Sequence, residues 1–392
     1  MIAMRTSVML AVRGLTFRLK QTMLSMLGVV LGVVALTTIL SVANGFEAGL
    51  INSILETSGH IQVFSSQDHE VSNPDHIAKL VAKVPGVAAV APGIMVQGMI
   101  ENEKEQTFSG CNIKGIDPVH EIEVNSIGKH MVDGKFAFAG PNEIILGKEL
   151  ARQLKAVVGK PLKMTIPDGT KFPLTVVGIF KTGISDFDYS MVLIPVPLAQ
   201  KAFGFSDSVS HLFVRCTDPI NAGAVAAQIR KDTAYDAMSW LETNRVLLEA
   251  IALERRVMFV VIFLTLIVAA FGISNTLTMM VLEKFKDIGI MRALGMRTSQ
   301  ITRIFLMQGL FIGLTGTILG CLGGWGLGNL LQVMPIHLPV EIYYVDRVPV
   351  QFNPRDFLAI AALACTVSLV ASYFPARKAM KVQPVEAIRY YA

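Results

Sequence analysis

The chain has 392 residues, of which 52% are hydrophobic and only 17% charged, where a soluble protein of this length carries about a quarter charged residues. An ordinary soluble globular protein is thereby excluded. The formal net charge of +5 argues no better for nucleic-acid binding, because the basic residues flank apolar segments and the largest polar stretch is slightly acidic. Residues 1–20 place Val8, Val12, Leu15 and Leu19 at three- and four-residue spacing, with Arg5, Arg13, Arg18 and Lys20 off that stripe. This is the pattern of an amphipathic helix on a membrane face, or of a continuation of the span that follows. Residues 21–46, between Lys20 and Glu47, carry no charge and are long enough to cross a bilayer. Ser41-Val42-Ala43 resembles a signal-peptidase site, but the apolar run exceeds the roughly 7–15 residues of a leader, so an uncleaved anchor is expected.

Residues 47–256 form the one large polar segment. Short strand-like runs, alternating with short helical ones, predict strands at His60–Phe64, Ile94–Glu101, Asn112–Ile116, Glu143–Leu146, Leu162–Ile166, Phe172–Phe180, Met191–Pro195 and His211–Cys216. Pro167-Asp168-Gly169-Thr170 reads as a tight hairpin turn, and helical runs occur at Asp75–Val84, Lys148–Val157, Pro197–Phe203 and Asn221–Lys231. The reading is an α+β module large enough for a core in two lobes. Cys111 and Cys216 lie in it, where an oxidising compartment permits a disulfide without requiring one.

Three more charge-free windows follow, at 257–282, 304–334 and 357–376, separated by loops at 283–303 and 335–356 and closed by a tail at 377–392. Four spans put both ends on one side. The segments on that side (1–20, 283–303 and 377–392) hold 13 basic and 3 acidic residues, against 22 and 27 elsewhere. The bias predicts cytoplasmic termini and an extracytoplasmic large domain, although Arg255 and Arg256 run against it. No phosphate-binding G-x-x-x-x-G-K-[ST], metal-ligand cluster or nucleophile elbow is present in the sequence, so no enzyme site is expected.

The 283–303 loop carries the sharpest local signal. Lys284 to Leu294 lacks proline and ends at Gly295, which suits a left-handed helix stop. Phe285, Ile288 and Met291 stand beside Lys284, Asp287 and Arg292, with Gly289 between them. Such a short helix fits either a partner's groove or an ordinary charged hairpin.

This stretch resembles the coupling helix of the FtsX/MacB permease superfamily. So do Gln308-Gly309, Gly313, Gly316 and Gly320, then Phe374-Pro-Ala-Arg-Lys-Ala379 and Pro384-Val-Glu-Ala-Ile-Arg389. Leu40-Ser-Val-Ala-Asn-Gly-Phe-Glu47, His60-Ile-Gln-Val63, Lys114-Gly-Ile-Asp-Pro118, Ile145-Leu-Gly-Lys-Glu-Leu150 and Val340-Glu-Ile-Tyr-Tyr-Val-Asp-Arg347 resemble, more narrowly, the LolC/LolE-type permeases of the lipoprotein-releasing system.

The resemblance implies four transmembrane helices with a MacB-like α+β periplasmic domain in the bacterial inner membrane. It implies two copies of a cytoplasmic LolD-like ATPase that bind ATP and Mg, so that this chain needs no cofactor or metal of its own. It further implies a second permease subunit, identical or LolC/LolE-like, a lipoprotein substrate and a LolA-like periplasmic carrier. Lys284, Phe285, Asp287, Ile288, Gly289, Met291, Arg292 and Gly295 would couple to the ATPase. Val42, Phe46, Leu253, Val257, Met258 and Val261 would line an acyl-chain cavity between spans one and two. The carrier-recruiting hook of the LolC type is represented only by Ile166–Phe172. Export of another amphiphile, or FtsX-like signalling to a periplasmic partner, remains the alternative.

Overall fold

The computed structural model describes residues 19–66, 70–183, 185–334 and 348–380. The amphipathic pattern before Leu19, the Val340–Arg347 string and the Pro384–Arg389 motif lie outside them. The described residues divide into two compact units. One is helical and contains residues up to Phe46, 252–334 and 348 onward; the other, from Glu47 to Ile251, is α+β.

Within the α+β unit the chain first completes α1 (Leu19–Thr57), then runs through β1 (Ile61–Phe64), β2 (Val71–Ser72), α2 (Pro74–Val81), β3 (Val87–Asn102), β4 (Thr107–Ile116) and α3 (Pro118–Val124). It continues with β5 (Met131–Gly134), β6 (Glu143–Gly147), α4 (Lys148–Gln153), β7 (Pro161–Thr165), β8 (Lys171–Phe180), α5 (Ser185–Ser190), β9 (Met191–Pro195) and α6 (Val196–Phe203). The unit closes with β10 (Ser208–Val209), β11 (His211–Cys216), α7 (Ala222–Asp232), β12 (Asp236–Ser239) and α8 (Trp240–Thr243).

One sheet crosses the unit in the order β12-β1-β11-β3-β4-β9-β6-β8-β5, with β7 bridging β3 and β8, while β2 and β10 make a separate ribbon. Length led to an expectation of two lobes; one main sheet runs through the unit. Among the described strands only β4/β9 and β6/β8 are parallel. The central strands β6 and β9 bury consecutive residues, as strands covered on both faces do. A continuous core runs from Ile61 through Ile113, Leu146, Leu150 and Val192 to Ile229, and Ile51, Ile54 and Leu55 of α1 pack against it.

The register also settles the cysteines. Cys111 lies opposite Gly98 and Cys216 opposite Val87, eleven residues apart along β3. At about 3.3 Å per residue that is roughly 36 Å of strand, against the ~7 Å limit between bridged Cα atoms. The disulfide that the compartment would permit is excluded by geometry. Burial pushes the Cys111 thiol up to about 12, and burial followed by the charge of Asp218 pushes Cys216 up to about 11.

In the helical unit, α1, α9 (Arg245–Glu283), α11 (Thr298–Val333) and α12 (Pro354–Met380) are long and apolar enough to cross a membrane, and the nine-residue α10 (Phe285–Ala293) joins α9 to α11. The core is Val29, Val33 and Leu36 of α1, Leu266, Ile273 and Leu277 of α9, Ile312 of α11, and Ile360, Ala364 and Ala371 of α12.

The small residues of α11 face two neighbours in succession. A Cβ on Gly309 or Gly313 would collide with Ser372 or Ser368 of α12. One on Gly316, Gly320 or Gly324 would collide with Val29, Val33 or Thr37 of α1, at 2.9 Å from the Val29 Cβ in the first case. Close backbone approach through small residues is how helices gain contact area where lipid provides no hydrophobic drive. Polar links add direction. Ser25 of α1 bonds Thr276 of α9, Thr38 donates to the Gly324 carbonyl at 3.4 Å, and Asn44 donates to Asp356 at 2.7 Å.

Two outcomes test this packing. Gly324→Val should cost about 1–3 kcal/mol of stability by overpacking, whereas Gly326→Ala, which meets nothing within 4 Å, should leave thermal unfolding in detergent unchanged. In the α+β unit, both thiols should stay unreactive to maleimide until the protein unfolds, and reductant should leave the melting temperature in place.

A pH dependence follows from the same unit. Burial, followed by the nearby charge of Lys114, pushes His211 down to about 4 from an ordinary 6.5. Burial, followed by Arg215, lowers His60 as well. The unfolded chain takes up protons near 6.5 that the fold refuses until near 4, so stability falls as pH drops through that window. His211→Gln should make the fall shallower in a pH series of thermal melts.

Candidate coupling helix and apolar path

The helix α10 begins after Lys284 and stops as its sequence dictates. Gly295 takes a left-handed φ of 95°, its amide donates to the Arg292 carbonyl at 3.0 Å, and the Met296 amide reaches the Met291 carbonyl at 3.0 Å. These are the paired bonds of a Schellman stop, accompanied by the apolar Met291 and Met296 in one cluster.

The helix presents two different faces. Ile288 and Gly289 are buried, and Phe285 and Met291 pack part-buried against the cluster of Val281, Ile301, Phe305, Ala376 and Ala379. Half-buried Arg292 donates to the Met380 carbonyl at 3.2 Å, at the end of α12, where a cation also meets the negative end of the helix dipole. Five of the eight residues singled out from sequence thus hold α10 to its own unit.

The opposite face carries Lys286, Asp287, Ile290, Ala293, Leu294 and Gly295, all exposed. Asp287, Ile290 and Leu294 stand at i, i+3 and i+7 and form one stripe. Leu294 is 83% exposed, and Lys284 lies 3.9 Å from Asp287. Of this face, Lys286, Ile290 and Leu294 were not among the residues singled out from the sequence. The signal was present as a second apolar spacing, Ile290 to Leu294, but nothing in the sequence says which of two apolar stripes turns outward.

The residues expected along an acyl path fall on α1 and α9. Ser25–Thr276 and Gly32–Thr265, the latter at 3.8 Å from the position of a Cβ, set these two helices antiparallel and side by side. Val42, Phe46 and Met258 are half-buried. Leu253, Val257 and Val261, four residues apart, share one face of α9 and are 49–59% exposed. Among the described residues little covers that face or the rest of α9, of whose most apolar window only 11% is buried. Among the described residues no group of histidine, cysteine and carboxylate side chains is arranged to hold a metal.

Residues 259–384 match the FtsX-like permease C-terminal family, and residues 22–232 match the MacB-like periplasmic core domain. Those matches, over four membrane-length helices and an α+β unit, define an FtsX-type membrane permease. The relatives narrow the class. The chain is 33% identical to a lipoprotein-releasing system transmembrane protein LolC of Neisseria meningitidis and 30% identical to one from Xylella fastidiosa, in each case over 94% of both chains. It is 28% identical to the LolE protein of Haemophilus influenzae over 93% of both. The chain belongs to the family of lipoprotein-releasing system transmembrane proteins.

The two faces of α10 predict unequal tolerance. Ile288→Asp places a charge in a packed site and should cost several kcal/mol, on the scale of an unpaired buried charge, while Leu294→Asp should change stability by no more than about 0.5 kcal/mol, as for an exposed position.

Proposed function

We propose that this chain is the permease subunit of an ABC transporter that extracts lipoproteins from the outer leaflet of the bacterial inner membrane and passes them to a periplasmic carrier. The observation that carries this reading is likeness along the whole chain, 33% over 94% of its length, rather than at one motif. Its own role is non-catalytic. Two copies of a LolD-like ATPase bind ATP and Mg on the cytoplasmic side, and the basic bias of the termini and α10 supports that side for them.

The physics fits an energy-driven extraction. Each acyl methylene withdrawn from the bilayer costs on the order of 0.8 kcal/mol, so a multiply acylated substrate does not leave unaided. The exposed apolar face of α9, with Leu253, Val257 and Val261, supports pairing with a second permease subunit, and an acyl path between α1 and α9 of such a pair is lined by Val42, Phe46 and Met258 as well. Met258, unbranched and adaptable, suits chains of varying shape. The β7–β8 hairpin turns through Ile166–Thr170 with Gly169 at φ 88°, too short for a hook, so the carrier is engaged elsewhere or through the second subunit.

Docking of the ATPase falls to the exposed stripe Asp287, Ile290 and Leu294. Leu294→Asp should cut the yield of copurified ATPase at least tenfold; full yield would remove this face from the interface. The reading itself is tested by reconstituting the chain with its ATPase and partner permease in liposomes that carry a fluorescent lipoprotein. ATP-dependent transfer to a soluble carrier is expected. Brisk ATP hydrolysis with no lipoprotein released would overturn it.

A further inference from the structure

The α+β unit buries one ion pair completely. Lys114 of β4 and Glu121 of α3 are bonded with side chains 3% and 0% exposed. The Lys114 ammonium lies 3.9 Å from the Phe213 ring centre, while the same Glu121 oxygen also accepts from Asn125. The second carboxylate oxygen has no protein partner. Taking two charges out of water costs several kcal/mol per ion, and a well-packed apolar pair of similar volume is often as stable or more so. Stability alone is therefore a poor account of this cluster. What an ion pair supplies, and an apolar pair does not, is one fixed geometry.

The cluster's neighbours indicate what is being fixed. Asn125 accepts from the Ile127 amide at 3.1 Å. The adjacent Ser126 amide donates to the Glu56 carbonyl at 2.7 Å, and the His130 ring lies 3.3 Å from the Glu56 carboxylate. Glu56 is in the last turn of α1, the helix that begins as the first membrane span. A polar chain thus runs from the end of α1, through Ser126, Asn125 and Glu121, to Lys114 in the middle of the sheet. Its Lys114 end is clamped against Phe213 of β11, two strands away from β4 in the sheet order.

We propose that Lys114, Glu121 and Asn125 are positioning residues that lock the outer end of α1 to the sheet, so that displacement of that helix moves the α+β unit as one body. The inference rests on the transport reading for its purpose, since it assigns these residues to delivery of movement during release. The lock itself is a property of the α+β unit and is measurable without transport. Asn125→Ala cuts the chain between Glu121 and the Asn125–Ile127 loop while leaving the ion pair. Lys114→Met with Glu121→Leu removes both charges and keeps the volume.

The test uses the full complex with spin labels on exposed Asn52 of α1 and Phe108 of β4. Unaltered protein should give one narrow distance in both the nucleotide-free and vanadate-trapped states. Each variant should at least double the width of that distribution, while thermal stability and ATP turnover stay within twofold and lipoprotein released per ATP falls at least fivefold. Unchanged width in Asn125→Ala overturns the lock, even where the double variant does not fold. Broadening in the labels with no change in release per ATP keeps the lock but strikes its role in delivery. If unaltered protein releases no lipoprotein, the transport reading fails and the label widths still decide the lock.

Discussion

Everything in this molecule depends on a constraint set by hydrocarbon: backbone amides and carbonyls in the bilayer must find partners within their own segment. The chain meets it with four long helices, and two of them overshoot. At 39 residues each, α1 and α9 extend about 58 Å, nearly twice the ~30 Å hydrocarbon core. The excess of α1 enters the α+β unit, where Ile51, Ile54 and Leu55 join its core.

The helical unit gains cohesion from very small side chains. Gly309 and Gly313 admit α12, and Gly316, Gly320 and Gly324 admit α1, so α11 serves as the spine against which two neighbours are seated. Polar groups then index the contacts, as Asn44 does with Asp356. Gly45 beside it leaves room for the Pro349 carbonyl, which a Cβ would overlap. This explains an Asn-Gly pair inside a helix that composition alone would read as a weak point. The pair makes room and provides a donor in one place.

Much of this was legible in the sequence, and the failures have physical causes. Uncharged windows and flanking charges located the membrane helices, and short strand-like runs found eight of the strands. Such runs missed β2, β5, β10 and β12, which have two to four residues and little apolar length to register. Helix α3 escaped because Val119 and Ile122 face solvent and blur its periodicity, although Asp117-Pro118 is a proper start with the Asp117 side chain capping Val119. The segment 284–295 was legible as a helix with its stop at Gly295, but its inward and outward faces are both apolar, and only packing distinguishes Ile288 from Leu294. The separation of Cys111 from Cys216 is a matter of register along β3, which no spacing in the chain reveals.

The central claim is that ATP-driven movement is delivered through the outer turns of α1 in the proposed transport cycle. It is tested most directly by inserting two glycines after Ala48, between the membrane portion of α1 and the turns that pack on the core, and measuring ATP turnover and lipoprotein release in the same reconstituted vesicles. The account predicts that ATP turnover persists while release falls to background. Release at the unaltered rate through a softened α1 would contradict it.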